Sequence, residues 1–321
     1  MEENVVRFRN PTPINSLANY WIRDYRAKRY LQGLNKSDLL ARDADIASNM
    51  MALRDDGKYH PRFSIRKDKI YAGIRNLDYL RMATDAWEEM RFRGYEPLPR
   101  LDRSRLQIAK RLSDESWCRR AEWISNSRLS IDKYEQPHML FKFSEKRWNK
   151  ELIELGRIRI SPASKYNDTS AINAVRDNEL SLEWYDDRLN RQVLETKDYF
   201  CLCLSSEYDY RLFSDFRSDS CVAIKKPAEF SERLRTAVQR HNEEQPRFGI
   251  VQLIQCPIIY VDPFALLPPQ EASEVQFCKY FRFAYQTEYR FVLIPTNDRQ
   301  LEPFFLQLGS ITDIAEIVIA P

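Results

Sequence analysis

Hydrophobic and polar positions in the first 135 residues recur with the spacing of helices. In LLARDADIASNMMAL the apolar residues fall at intervals near 3.6, and they are Leu39, Leu40, Ile46, Ala47, Met50, Met51 and Leu53. Asn35 or Ser37 is the candidate N-cap, and DDGK at 55–58 predicts the end of that helix. Similar patterns from Ile74 to Gly94 and over 104–124 predict two further helices.

After residue 135 the pattern changes to a period of two, with β-branched and aromatic runs that favour strands. The candidate strands are 139–143, 156–161, 198–206, 220–226, 248–262, 288–295 and 315–321, and the candidate helices are 146–155 and 227–245. Many strands with few crossover helices favour antiparallel pairing. The prediction is therefore an α+β fold, with a helical domain over 1–135 and a second domain, built on antiparallel sheets, over 136–321.

Composition narrows the class of protein. The 321 residues are 43% hydrophobic and 30% charged with only 7 Gly, which is typical of a compact protein with a sizeable core. No apolar run of about 18 residues and no apolar N-terminal segment occur, so we expect a cytoplasmic protein without membrane contact. The six Cys form no CxxC pair and the three His lie far from them, so we expect reduced thiols and no metal site. Neither GxGxxG nor GxxxxGK occurs, which excludes Rossmann and P-loop nucleotide sites.

Charge is distributed unevenly between the two halves. Residues 1–135 carry 27 Lys and Arg against 20 Asp and Glu, whereas 136–321 carry 23 against 27. A basic half favours contact with phosphates, so the helical domain is expected to position a nucleic-acid target or a partner. A solvated helical surface would give the same balance, and this alternative stays open.

The second domain has polar residues at three strand ends. FAYQTEYRFVLIP places Gln286 and Glu288 at the start of a strongly apolar strand, where an extended chain would point both side chains to one face. Ser205 and Ser206 end the strand CLCLSS, and Lys142 lies within LFKF. Ordinary structure also explains each of these: a solvated strand edge, a strand terminus and a surface lysine with its stem packed on apolar atoms.

The order of these segments resembles the ADP-ribosyltransferase superfamily and, more narrowly, a widespread bacterial domain family of undefined function. The segments that carry the resemblance are Phe141-Lys142-Phe143, SPASKYND at 161–168, Cys203-Leu204-Ser205 followed by Phe213 and Phe216, and Glu288-Tyr289-Arg290. The resemblance implies a split antiparallel β-sandwich over 136–321 that acts as the catalytic domain and uses NAD as a substrate. Lys142 departs from the superfamily pattern, which places Arg or His there.

The resemblance also implies roles for individual residues. Glu288 would be the catalytic carboxylate, Gln286 would orient the acceptor, and Ser205 would support Glu288 by a hydrogen bond. The implied NAD-binding residues are Lys142, Ser144, Ser161, Asn167, Ser206, Tyr210 and Phe213. Cleavage of the nicotinamide–ribose bond builds positive charge on the ribose, and a fixed carboxylate stabilises that charge.

The expected function is therefore that of a mono-ADP-ribosyltransferase that transfers ADP-ribose from NAD to a macromolecule, with RNA or another nucleic acid favoured. The layout is similar to toxins of bacterial anti-phage toxin–antitoxin systems, including a class that modifies messenger RNA, so an antitoxin protein is an expected partner. Two alternatives stay open. One is a non-catalytic nucleic-acid-binding or interaction module, and the other is a NAD glycohydrolase that uses water as the acceptor.

Overall fold

The computed structural model describes residues 14–53, 59–61, 64–66, 69–71, 74–95, 137–167, 178–185, 190–246, 249–264, 272–296 and 300–320. These residues fall into two units, one up to residue 95 and one from residue 137 onward. Within the described residues, no helix combines the length and the apolar character needed to cross a membrane.

The described residues of the first unit form three helices and two short antiparallel hairpins. They are α1 (Ile14–Lys28), α2 (Lys36–Asn49), α3 (Ile74–Phe92), β1 (Met51–Leu53) paired with β2 (Tyr59–Pro61), and β3 (Ser64–Arg66) paired with β4 (Lys69–Tyr71). The side chain of Asn35 accepts a hydrogen bond from the Asp38 N–H at 2.9 Å, which confirms Asn35 as the N-cap of α2. Helix α2 ends before the predicted last turn, because that turn forms β1. The helix predicted over 104–124 lies outside the described residues.

The second unit is built on one eight-stranded sheet. Its strands are β5 (Leu140–Ser144), β6 (Arg157–Pro162), β9 (Phe200–Ser205), β10 (Ser220–Ile224), β11 (Ile250–Pro257), β14 (Glu288–Pro295), β15 (Phe304–Gln307) and β16 (Ala315–Ile319). Six of them run in the order β11–β14–β9–β5–β10–β16, and every neighbouring pair is antiparallel. Strand β6 pairs with β9 and with β15. A mixed α/β chain with mainly antiparallel sheets agrees with the predicted fold class.

Smaller elements surround this sheet. They are α4 (Lys146–Leu155), α5 (Arg211–Asp215), α6 (Pro227–Glu244), α7 (Ala272–Val275), the hairpin β7 (Ser181–Tyr185) with β8 (Arg191–Glu195), the parallel pair β12 (Ile259–Val261) with β13 (Cys278–Tyr280), and the 3-10 turns Ala163–Asn167 and Phe281–Gln286. Helix α4 and strand β14 have the predicted bounds. The prediction of a single strand over 248–262 is wrong. Strand β11, which pairs with β14, ends at Pro257, and a separate strand, β12, begins at Ile259, whose N–H donates to the Phe277 carbonyl at 2.8 Å.

The central strands are buried on both faces. Alternate residues of β9 and β14, including Leu202, Leu204 and Phe291, belong to the main core with Phe230 of α6. The intervening residues face a smaller cluster that includes Cys201 and Val292 and, partly buried, Cys203. Since neighbouring side chains of a strand point to opposite faces, these two clusters lie on the two sides of the sheet.

Gly156 fixes the angle between α4 and β6. It ends α4 with a φ of 72°, a left-handed conformation that favours glycine. A Cβ at this position would lie 1.9 Å from the carbonyl oxygen of Gly309. The chain can therefore turn directly from α4 into β6, and this turn shapes one side of the site described next.

Candidate functional site

A cavity opens where the sheet divides beside β9. Strand β5 pairs with the end of β9 through Phe141 and Ser205, and β6 pairs with its beginning through Ser161 and Cys201. Between these two contacts β5 and β6 diverge and leave the middle of the β9 edge to a cavity of about 850 Å³. This volume lies within the range of about 300–1,000 Å³ that is usual for small-molecule sites.

Several of the residues singled out in the sequence line this cavity. They are Lys142, Ser144, Ser161, Ser205, Gln286 and Glu288. They come from β5, β6, β9, the 3-10 turn that ends at Gln286 and the start of β14, so residues far apart in sequence meet around one space. The convergence follows from the strand order, which places β9 between β14 and β5.

Lys142 and Glu288 nevertheless lie on opposite faces of the sheet. Ser205 is in register with Glu288 on one side and with Phe141 on the other, so Phe141 shares the face of Glu288. Lys142 is one residue further and is in register with Val222 of the main core, so its side chain starts from the other face. Since both residues line the cavity, the cavity reaches both faces through the gap between β5 and β6.

Lys142 is a cation with no hydrogen-bond or ion-pair partner among the residues that the structure describes. It is half-buried, and the loss of water around its ammonium group lowers its pKa to about 8. A lysine in these surroundings still carries a proton for much of the time at neutral pH. It is therefore suited to contact an anionic group of a ligand.

Glu288 belongs to a buried network of two acids and two cations. Its Oε1 accepts from Nε of Arg290 at 2.7 Å, and its Oε2 accepts from Nζ of Lys279 at 3.1 Å. Glu179 closes the network, with ion pairs of 2.7 Å to Arg290 and 3.3 Å to Lys279. None of the four side chains is more than 5% exposed.

These surroundings keep Glu288 ionised. Burial opposes ionisation, but the charges of Arg290 and Lys279, with hydrogen bonds from Arg290 and Cys203, outweigh it and lower the pKa of Glu288 to about 2. The peptide N–H of Glu288 also donates to the hydroxyl of Tyr260 at 2.8 Å. The structure thus holds a negative charge in a fixed position beside the cavity.

Gln286 and Glu288 are linked by a shared hydrogen-bond donor, which the sequence did not indicate. The predicted shared face of an extended strand is wrong, because Gln286 ends a 3-10 turn and Thr287 adopts a left-handed conformation with a φ of 42°. The two side chains instead share one cation. Nζ of Lys279 donates to Oε1 of Gln286 at 3.4 Å as well as to Glu288.

The two serines support the turn before β14 and not the carboxylate. The hydroxyl of Ser205 donates to the carbonyl of Gln286 at 2.8 Å, and that of Ser206 donates to the carbonyl of Thr287 at 2.8 Å. The predicted hydrogen bond from Ser205 to Glu288 is therefore wrong, since its hydroxyl is used by the main chain. The side-chain donor that β9 gives to Glu288 is the thiol of Cys203.

The predicted aromatic residues lie behind the cavity wall. Phe213 is buried and packs edge-on against Phe143 at 5.0 Å, and Tyr210 packs against Tyr208 at 5.1 Å. The rings that line the cavity from this cluster are those of Phe143 and Phe216, together with Phe141 from the same strand.

Two further predicted residues bind protein groups. The amide of Asn167 is exposed and donates to Oδ1 of Asn178 at 3.1 Å, and neither residue lines the cavity. The carbonyl of Ser144, at the end of β5, accepts from the hydroxyl of Ser220 at 3.2 Å. Within the described residues, no group of three or more His, Cys, Asp or Glu is arranged to hold a metal ion.

The sequence analysis assigned no function to three members of the buried network, which are Glu179, Lys279 and Arg290. The sequence does carry a signal for the two cations, because Lys279 lies in FCKYF and Arg290 in YRFVLI. A cation inside a continuous apolar run is buried when that run folds into the core. A buried charge is costly unless it is paired and hydrogen-bonded, so such a cation needs a buried partner. Glu179 has no comparable signal, since it follows the polar residues Asp177 and Asn178 and not an apolar run.

Comparisons of the chain with protein-family models, with curated proteins and with solved structures found no match.

Proposed function

We propose that this chain is a NAD-dependent mono-ADP-ribosyltransferase whose acceptor is a nucleic acid, with RNA favoured. The observation that carries the proposal is the position of Glu288. Its carboxylate is ionised, fixed by two buried cations and placed on the wall of an 850 Å³ cavity. Gln286 lines the same cavity and is bound to the same lysine.

The chemistry needs a fixed negative charge more than a proton donor. When the nicotinamide–ribose bond breaks, positive charge develops on the ribose, and an anion held nearby stabilises that charge without having to reorganise. A glutamate whose pKa is about 2 cannot serve as a general acid at neutral pH, but it is suited to this electrostatic role. Lys142, which reaches the cavity from the other face of the sheet, would contact an anionic part of the dinucleotide.

One observation favours the non-catalytic alternative. Both oxygens of Glu288 are already bound, one by Arg290 and one by Lys279, as in a network that only stabilises the fold. Catalysis requires that the negative charge still acts on the cavity despite these partners. Direct assay separates the two functions.

The test is incubation of the pure full chain with NAD labelled in the adenylate part and with total cell lysate. The products are then digested separately with ribonuclease and with protease. We expect the label to become attached to macromolecules and to be released by ribonuclease. Label released by protease would mean that the acceptor is a protein. Free labelled ADP-ribose, with no labelled macromolecule, would favour the glycohydrolase.

The matched variants are Glu288→Gln and Glu316→Gln. Glu316 lies on β16 in an exposed ion pair with Lys225, so its variant controls for the loss of one carboxylate. We expect Glu288→Gln to lower NAD cleavage by about 100-fold or more, the usual effect of losing one electrostatic contact to a transition state. Wild-type cleavage by a folded Glu288→Gln variant would refute the enzymatic function.

Gln286→Ala separates transfer from hydrolysis. If Gln286 orients the acceptor, this variant loses attachment of the label while it continues to release nicotinamide. Equal loss of both products would mean that Gln286 supports NAD binding. If the chain is a toxin, expression of the wild type should arrest growth. The Glu288→Gln substitution and co-expression of a cognate antitoxin protein should each relieve this arrest.

A further inference from the structure

Two exposed aromatic rings, each covered by an arginine, lie at the rim of the cavity. Trp148 of α4 is 39% exposed, and the guanidinium of Arg147 lies 4.6 Å from its ring. Phe305 of β15 is 41% exposed, and the guanidinium of Arg157 lies 3.9 Å from its ring. Large exposed rings are unusual on a protein surface and are typical of a binding surface when they occur together.

These two pairs form one continuous surface. Glu151 follows Trp148 by about one turn of α4 and makes a 3.0 Å ion pair with Arg157, which covers Phe305. Trp148, Glu151, Arg157 and Phe305 all line the cavity. We call the surface formed by Arg147, Trp148, Arg157 and Phe305 the aromatic rim.

Three of the four residues of the aromatic rim, Arg147, Trp148 and Arg157, lie in a basic segment of an acidic domain. Residues 142–159 carry six Lys and Arg against three Glu, a net charge of +3. The other residues of 136–321 carry 17 Lys and Arg against 24 Asp and Glu, a net charge of −7. The positive charge of this domain is thus concentrated where the rings are exposed.

We propose that the aromatic rim is a docking surface for single-stranded nucleic acid. Proteins bind single strands by stacking unpaired bases on exposed aromatic rings while cations contact the phosphates, and the aromatic rim supplies both in alternation. An acidic protein would be attracted by the same charges but would not require exposed flat rings. The proposal deepens the proposed function, since it names the surface along which an RNA acceptor would reach the cavity. The role of the aromatic rim in acceptor binding rests on that proposed function.

The acidic partners of the two arginines do not prevent such binding. Arg147 pairs with Glu145 at 2.9 Å and Arg157 pairs with Glu151, but both arginines are more than one third exposed. Exposed ion pairs of this kind contribute about 0–1 kcal/mol and are screened by salt. The guanidinium groups can therefore turn from the carboxylates to phosphates at little cost.

The surface also differs from the one that the charge distribution indicates. The sequence places the excess of positive charge in residues 1–135 and so assigns nucleic-acid contact to the helical domain. The first unit contains a matched feature, because Phe92 is 63% exposed and the guanidinium of Arg29 lies 3.8 Å from its ring. Neither Phe92 nor Arg29 lines the cavity, so this pair serves as the control.

The test is the fluorescence anisotropy of a labelled oligouridine RNA titrated with the full chain in the absence of NAD. We expect Trp148→Ala and Phe305→Ala each to weaken binding by roughly five- to 150-fold, the equivalent of one lost stacking contact. Phe92→Ala should leave the affinity within about twofold of the wild type. Trp148→Phe keeps a ring and should recover most of the affinity, which separates stacking from damage to the fold.

Three results would overturn the proposal. One is a loss of binding in Phe92→Ala with none in the two rim variants. The second is equal loss in Trp148→Phe and Trp148→Ala, and the third is competition by polyglutamate as strong as that by RNA. A single-stranded DNA that binds as RNA does supports the surface and shows that it reads no ribose hydroxyl. Because NAD is absent, failure of NAD cleavage elsewhere does not affect this result.

Discussion

Both units bury a glutamate among cations, but the two sites differ in what surrounds them. In the helical unit Glu89 is completely buried and accepts hydrogen bonds from Tyr25, Arg29 and Arg93. In the sheet unit Glu288 accepts from Arg290 and Lys279, as described above. The cationic partners of Glu89 reach solvent, with Arg29 28% and Arg93 18% exposed, whereas those of Glu288 are at most 4% exposed.

The difference also extends to what each network connects. Arg93 donates to the main-chain carbonyls of Leu31 and Leu34 as well as to Glu89, so this network ties α3 to the connection between α1 and α2. The Glu288 network opens on a cavity that other polar side chains line. A buried ionised acid therefore does not mark a functional site by itself, and the adjoining cavity is what distinguishes Glu288.

The largest expected effect comes from removing the central cation of the sheet network. Arg290→Met leaves Glu179 and Glu288 buried with one cation between them, and we expect a loss of about 3–5 kcal/mol in the free energy of unfolding. Urea unfolding measures this loss. Arg235→Met, which breaks an exposed pair with Glu232, is the control and should change stability by less than about 0.5 kcal/mol. A loss below about 1 kcal/mol in Arg290→Met would mean that the network is not needed for the fold.

The pH dependence of the two units should have opposite signs. Burial raises the pKa of Asp85 on α3 to about 6, although a hydrogen bond from Tyr30 and the charges of Arg81 and Arg42 oppose it. The folded state thus holds this proton more tightly than the unfolded chain, so stability falls by up to about 3 kcal/mol as pH rises from about 4 to 6. Glu288, whose pKa is lowered to about 2, stabilises the fold above about pH 4.5 and loses that contribution as pH falls.

Asp85→Asn tests this contrast, because it removes the titrating acid and keeps a side chain of similar size. We expect the variant to lose the decline in stability between about pH 4 and 6, as measured by urea unfolding across that range. Glu288→Gln should leave this decline in place and alter the acid side instead. Parallel curves for Asp85→Asn and the wild type would contradict the raised pKa.

A smaller effect on stability is expected when the charge of Glu89, in the helical unit, is removed. Glu89→Gln replaces charge-assisted hydrogen bonds by neutral ones, and since its arginines can turn to water the loss should be about 2 kcal/mol. NAD cleavage at a temperature where the variant is folded should be unchanged. Loss of cleavage equal to that in Glu288→Gln would break the distinction between a structural and a functional buried acid.

The sequence predicted best where apolar periodicity continues without a break. Strand β14 and helix α4 have the predicted bounds because their patterns are long and end in clear signals. The hairpin β7–β8 is absent from the predicted strands, because charged residues such as Glu183, Arg191 and Glu195 interrupt its apolar positions. In the structure Leu182 is buried while Glu183 and Arg191 pair across the two strands.

The site was predicted only in part, because its geometry depends on register and on contacts distant in sequence. The resemblance implied that Lys142, Ser205 and Glu288 share one site, and the strand order brings all three to the cavity. A shift of one residue in the pairing of β5 decides which face Lys142 occupies, and no local pattern fixes that shift. Lys279 binds Glu179, which is 100 positions away in the chain, so its role could not be read from its neighbours.

The most direct test of the central claim is a crystal structure of the Glu288→Gln variant with saturating NAD. The substitution should slow cleavage enough to keep the dinucleotide intact. We expect NAD in the gap between β5 and β6, with its nicotinamide ribose against residue 288. An empty cavity, or NAD bound away from residue 288, would contradict it.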